Sequence, residues 1–196
     1  MIIAVDGYGG DYAPLEVLKG SALAVSEMGV SIILTGDKSE LEKLSEENEI
    51  ELTNIEILNT RTFITMDDEA RSVVREKSDS SMALALKLLS SGEADACVSA
   101  GPTGAYLMGA TMIVKRIKGV KRPALGSVIP GQISPYMLID CGANAEVRPE
   151  MLEQFGMFGS VYMKNIMKIK DPKVGLANNG TEESKGTELI KSAYEL

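Results

Sequence analysis

Residues 94–114 read ADACVSAGPTGAYLMGATMIV, and the way this stretch divides decides the fold. From Ala96 to Val114 it carries no charge and is long enough to nominate a membrane helix. Gly101-Pro102-Thr103-Gly104 interrupts the run, so it parses as a strand over Ala94–Ser99, a tight turn, and a mostly apolar helix over Thr103–Ile117. Outward from here the same unit recurs. Ile2–Val5 reads as a buried strand, and Pro14 opens a helix with Leu15, Leu18, Ala22 and Val25 on one face. Val30–Leu34 is the next strand, after which Asp37 caps a helix through Leu41 and Leu44. Ile55–Leu58 follows as a strand, then helices over Asp67–Lys77 and Ser80–Ser90. Ala124–Ile129, Tyr136–Asp140 and Val174–Ala177 are further strands, with helices over Pro149–Ile166 and from Gly186 onward. Strands alternating with helices predict a three-layer α/β/α arrangement with a mostly parallel sheet, one domain over residues 1–196. In such sheets ligands sit beyond the carboxyl ends of the strands.

Composition narrows the chemistry. The chain has no histidine, which removes a Ser-His-Asp triad, a Cys-His dyad, an HExxH zinc site and any imidazole proton shuttle. Chemistry here runs on Lys, Asp, Glu, Ser, Thr, Asn and backbone groups, with no metal and no cofactor expected. The formal net charge of −8 argues against a nucleic-acid surface. Cys97 and Cys141 are too few and too far apart for a disulfide framework, which suits a cytoplasmic, reducing setting. Met1 to Asp6 has neither a basic leader nor a cleavage site, so no signal peptide is expected.

Four strand-end segments are rich in glycine and small polar residues: Asp6–Asp11, Ser99–Gly104, Asp140–Asn144 and Asn178–Gly186. Glycine lets backbone N–H groups approach an anion closely, and a following helix adds its positive end. Such turns also arise simply because strand-to-helix connections are tight. Neither GxGxxG nor GxxxxGK[ST] spacing occurs, which disfavours dinucleotide or nucleoside triphosphate binding through those devices.

Taken in order, VDGYGGDYAP, ARSVVREKSDSSM, SAGPTGA, KGVKRPAL, IDCGAN and NNGTEESKGTEL resemble the PlsX family, the acyl-carrier-protein:phosphate acyltransferases of bacterial phospholipid synthesis. The likeness runs from Met1 to the end of the chain. It implies a fold like the isocitrate and isopropylmalate dehydrogenases, which phosphate acetyltransferases share. It also implies a homodimer, peripheral contact with the inner face of the membrane, and the partners acyl carrier protein and inorganic phosphate. The chain departs from the family in having Pro102 where Asn is usual and Gly7-Tyr8 where Ala-Met is usual. Family chains continue past Leu196, so the resemblance implies the N-terminal part of a longer protein. Two other readings fit the same architecture: an enzyme like phosphate acetyltransferase that uses acyl-CoA, and a non-catalytic binding or scaffold fragment.

Phosphate attacking a thioester tolerates the absence of histidine. Phosphate is already anionic near neutral pH, and a thiol with a pKa of about 8.5 leaves as thiolate. The protein must supply position and stabilisation of the tetrahedral oxyanion. Lys185 is the candidate ammonium, unless it only pairs with Glu182 or Glu183. Asn144 is a candidate donor to oxyanion or phosphate, or else a capping amide. Candidates around the phosphate are Gly9, Gly10, Ser81, Ser99, Gly101, Thr103, Gly104, Gly142, Asn179 and Gly180. Asp6 and Asp11 are orienting or capping neighbours in that set, since a carboxylate repels phosphate. Lys115, Arg116, Lys118, Lys121 and Arg122 form one basic island in an acidic chain. It fits docking of an acidic carrier protein, and equally a helix end enriched in cations.

Overall fold

Ile3 and Val5 face one side of strand β1 (Ile2–Asp6) and Ala4 the other, and this period of two sets up three layers. On one side Val5 joins Ile32 and Leu34 of β2 (Ser31–Gly36) and Ile55 of β3 (Ile55–Asn59). They pack against Leu18 of α1 (Leu15–Met28) and Leu41 of α2 (Lys38–Glu47). On the other side Ala4 meets Ala85 and Leu88 of α3 (Ser81–Ser91). The sheet is parallel throughout, in the order β3-β2-β1-β4, with β4 over Ala96–Val98. As expected, Asp37 caps α2 by accepting from the N–H groups of Ser39 and Glu40. The computed structural model describes residues 1–180, 182 and 185–196. The chain divides into two compact units, Met1–Lys115 and Arg116–Leu196.

Several expectations change. Asp67–Lys77 is not an α-helix: only Ala70–Val74 forms a short 3₁₀ turn. The N–H groups of Arg75 and Lys77 both converge on the Ser72 carbonyl. The Lys77 ammonium meanwhile reaches back to Asp68 Oδ2 at 2.6 Å and to the Phe63 carbonyl at 3.1 Å. These bonds close a loop where a helix would extend a rod. After Gly101-Pro102, helix α4 runs only over Thr103–Gly109, then widens into a π turn over Ala110–Val114 in which Lys115 N–H bonds to the Ala110 carbonyl. Thr111 Oγ1 donates to the Leu107 carbonyl four residues back, the kind of local bond that disturbs a helical ladder. Among the described residues no helix is long and apolar enough to cross a membrane.

In the second unit β5 (Gly126–Ile129) and β6 (Tyr136–Ile139) pair antiparallel and do not extend the parallel sheet. Six residues join them, too few for a parallel crossover. Helix α5 (Pro149–Asn165) buries Phe155 and Met163, and α6 covers Glu188–Tyr194. Val174–Ala177, expected as a strand, forms no ladder. Its residues instead line a cleft of about 640 Å³ with β6, α5 and α6.

The Asp68–Lys77 clamp makes a pH prediction. Hydrogen bonds from the Lys77 ammonium, then from the Thr65 N–H and hydroxyl, lower the Asp68 pKa from the ordinary 3.8 to about 2. A carboxylate whose pKa is depressed on folding adds stability above its unfolded pKa and loses it as pH falls through the folded value. Asp68→Asn is therefore expected to lower the urea midpoint at pH 7. The gap from the parent protein should close as pH falls from about 4 toward 2. A pH-independent gap would contradict the assignment.

Candidate functional site

After β1 the chain builds β2 and β3 on one side, then returns to place β4 on the other side of β1. Strand order therefore reverses between β1 and β4, the place where ligands bind in open parallel sheets. The first two glycine segments lie at this point and touch. A Cβ on Gly9 would stand 2.7 Å from the Gly101 nitrogen, 2.7 Å from Ser99 Oγ and 2.8 Å from Asp6 Oδ2. Only a residue without a side chain lets these loops close on each other.

Asp6 holds them together. Its carboxylate is 2% exposed. It accepts the Ser99 hydroxyl at 2.7 Å and the Tyr8 N–H at 3.3 Å. Ser99 Oγ in turn accepts the Gly101 N–H at 3.1 Å. This corrects one expectation: the Ser99 proton goes to Asp6 and is not offered to phosphate. The Asp6 to Ser99 to Gly101 chain instead positions the second loop against the first. Ser81 is expected near the phosphate. It is 1% exposed at the start of α3, and among the described residues its hydroxyl has no partner. Gly10, Asp11, Thr103 and Gly104 are exposed at the rim.

The first turn of α4 carries the clearest binding capacity. Pro102 precedes it and supplies no capping side chain, where an Asn would offer one. The first bond into the helix is Tyr106 N–H to the Pro102 carbonyl, so the N–H groups of Thr103, Gly104 and Ala105 have no helical partner. Donors left in this way favour an anion. The excursion over residues 60–80 walls the site. Ala70 Cβ would lie 3.6 Å from a Cβ on Gly104, and the Met82 methyl 2.8 Å from one on Gly101.

Tyr8 anchors the first loop. Its ring stacks on Phe63 at 5.1 Å and 13° and lies over Gly36, and its hydroxyl donates to Glu40. Burial, followed by the Glu40 carboxylate, pushes its pKa well above the usual phenol range, so it stays protonated. The ring pins the first loop to β2 and α2.

In the second unit Asp140 organises the third loop. Its Oδ1 accepts the N–H groups of Leu125 (2.8 Å) and Ala143 (3.1 Å), and its Oδ2 accepts the N–H (2.8 Å) and the side-chain nitrogen (3.0 Å) of Asn144. Burial raises the Asp140 pKa, but these bonds outweigh it and hold the carboxyl below its ordinary value. The Asn144 side-chain nitrogen also donates to the Pro123 carbonyl at 2.9 Å. Both of its amide hydrogens are thereby spent inside the unit, so Asn144 shapes the loop. Gly142 is exposed with φ +96°.

In the fourth loop Asn179 N–H bonds to the Asn178 side chain at 2.9 Å, and Lys185 N–H bonds to the Glu182 carbonyl at 2.9 Å. A Cβ on Gly180 would meet the Lys185 stem at 2.8 Å. Lys185 is exposed and precedes α6, which begins at Glu188. Thr181, Glu183 and Ser184 lie outside the described residues, so the expected alternative pairing of Lys185 with Glu183 does too. The basic island spans the unit boundary, with Lys115 in the first and Arg116, Lys118, Lys121 and Arg122 in the second.

Comparison with known proteins adds the following. A family described as "Fatty acid synthesis protein" matches residues 1–196. A phosphate acyltransferase of Clostridium kluyveri is 49% identical over 196 residues, covering 100% of this chain and 59% of that protein. One from Clostridium novyi is 46% identical over 197 residues with the same coverage. The chain thus spans 59% of the length of these curated relatives. Among solved structures, the EutD phosphotransacetylase from Staphylococcus aureus superposes with a TM-score of 0.70 at 21% identity, over 100% of this chain and 62% of that one. A phosphotransacetylase from Streptococcus pyogenes gives 0.67 at 19% identity, over 93% and 59%. These two share the α/β fold.

Proposed function

The chain belongs to the fatty acid synthesis protein family, and from that premise we propose that the protein is a phosphate acyltransferase. It moves an acyl group from the thioester of an acyl carrier protein to inorganic phosphate. The observation that carries this reading is the switch point between β1 and β4, where two interlocked glycine loops lie beside the N–H groups of Thr103, Gly104 and Ala105, which have no partner among the described residues. The wholly acyltransferase-named relatives quoted above support it.

In the reaction a phosphate oxygen attacks the thioester carbonyl, and the C–S bond breaks after the tetrahedral intermediate forms. The carrier thiol departs as thiolate, and acyl phosphate remains. No general base is required, which suits a chain without histidine. Phosphate binds at the α4 first turn, with Gly9, Gly10, Gly101, Thr103 and Gly104 as its surroundings and Asp6 holding the loops in register. Lys185, in the second unit, is the proposed catalytic cation, and Gly142, Asn144, Asn179 and Gly180 shape the loops of its own unit. The apolar walls of the second-unit cleft, among them Leu152, Phe155 and Met163, suit an acyl chain. Under this reading the partners are acyl carrier protein and phosphate. The working form is a homodimer in the cytoplasm, and peripheral contact with the inner membrane face falls to the part of family chains that continues past Leu196.

The test incubates the protein with acyl-carrier protein and phosphate and traps acyl phosphate as hydroxamate, with acyl-CoA in parallel. Phosphate-dependent product from the carrier is expected. Product chiefly from acyl-CoA, or none from either, would overturn the reading. Lys185→Ala is expected to lower kcat at least about tenfold with an unchanged circular dichroism spectrum. A near-parental rate would remove Lys185 from the mechanism.

A further inference from the structure

The basic loop of the second unit is held in one shape by a residue that the proposed chemistry does not use. Ile117-Lys118-Gly119-Val120 closes a turn through Val120 N–H to the Ile117 carbonyl at 3.0 Å, with Gly119 at φ +94° in the third position. Only glycine takes that position without strain. The Arg116 guanidinium donates to the Lys121 carbonyl across the base of the loop. Gln154 of α5 then clamps it from below. Its Oε1 accepts the Lys121 N–H at 3.0 Å, and its Nε2 donates to the Gly119 carbonyl at 3.1 Å.

What the clamped loop presents is Arg116, Lys118, Lys121 and Arg122, all exposed, around Ile117, which is 82% exposed at the tip. No acidic residue interrupts residues 115–122. Among the described residues none of these cations takes part in an ion pair. The loop ends at Pro123, whose carbonyl is the one held by Asn144, so it is tied to the third glycine loop. A helix-dipole explanation reaches only Lys115 and Arg116 and not Lys118, Lys121 and Arg122, because the helix and its π turn end at Val114.

We infer that the Arg116–Arg122 loop is a preformed docking site for an acidic protein surface, with Gln154 as the positioning residue that keeps its cations and Ile117 in docking shape. Charge complementarity selects the partner. In a chain of net charge −8, a flat anionic bilayer would repel most of the surface it met, including Glu150 and Glu153 beside Gln154. A small acidic protein surface engages the loop alone, within about one Debye length of roughly 10 Å. That this partner is the thioester carrier rests on the proposed function.

The test titrates acyl carrier protein into the full chain by calorimetry at about 50 and 200 mM salt. Lys118→Glu with Arg122→Glu is expected to weaken binding about tenfold or more and to flatten its salt dependence. Lys164→Glu with Lys170→Glu makes the same change in net charge elsewhere and should stay within about twofold. Gln154→Ala should weaken binding about threefold while the salt dependence persists. Equal losses from both double variants, or parental binding by the loop variant, would overturn the docking site. So would loop-dependent binding to phosphatidylglycerol vesicles in place of the carrier. A chain that binds the carrier through the loop but makes no acyl phosphate would sink the proposed reaction and leave the docking site standing.

Discussion

Gly9→Ala is expected to cost about 1–3 kcal/mol of stability, the usual penalty for inserting bulk where nothing can yield. The added methyl meets the Gly101 backbone nitrogen and two polar atoms of the Asp6–Ser99 pair, all within 2.8 Å. None of these is the free end of a flexible side chain. The two loops must part, and the Ser99–Asp6 bond parts with them. For a chain of this length the loss corresponds to roughly 2–4 °C in Tm per kcal/mol. Gly20→Ala is the control: it lies in α1 with nothing within 4 Å of the new carbon, and should be neutral or stabilising by up to about 1 kcal/mol. Matching losses at the two sites would show that the loops are not interlocked.

Asp140→Ala is expected to be the more damaging change, at about 2–4 kcal/mol. Removing the carboxylate strands the N–H groups of Leu125, Ala143 and Asn144 and frees the Asn144 amide. Each stranded donor costs about 1–3 kcal/mol when fully buried and less in this half-buried loop. Asp140→Asn keeps one accepting oxygen on each conformer and should fall between the two. Chemical denaturation with fluorescence and circular dichroism reads both. An alanine variant within about 0.5 kcal/mol of the parent would mean that Asp140 does not organise the loop.

Much of this arrangement was legible before any coordinates. Short apolar runs locate the four strands of the parallel sheet, because burial on both faces demands small aliphatics at Ile3, Ala4 and Val5 and their neighbours, and the same kind of run marks β5 and β6. Glycine clusters marked the loops at the strand ends. What stayed hidden was set by partners distant in the chain. Ser99 reads as a phosphate donor until Asp6, 93 residues away, takes its proton. The Asp67–Lys77 segment has helical spacing, yet a Lys77–Asp68 bond nine residues apart folds it back. Val174–Ala177 has strand composition but faces β6 across a cleft and forms no ladder with it. Gln154 gives no signal in sequence, since a lone glutamine on a helix looks like any solvated position. Its two bonds to the basic loop exist only in the folded chain.

The central claim is that inorganic phosphate sits where the loops after β1 and β4 interlock. Amide chemical shifts followed by ¹⁵N–¹H NMR during titration with inorganic phosphate test it most directly. Saturable shifts concentrated at Gly10, Thr103, Gly104 and Ala105 are expected, and they should be lost in Gly9→Ala. Shifts that stay at baseline there, or that collect instead around unrelated lysines, would contradict it.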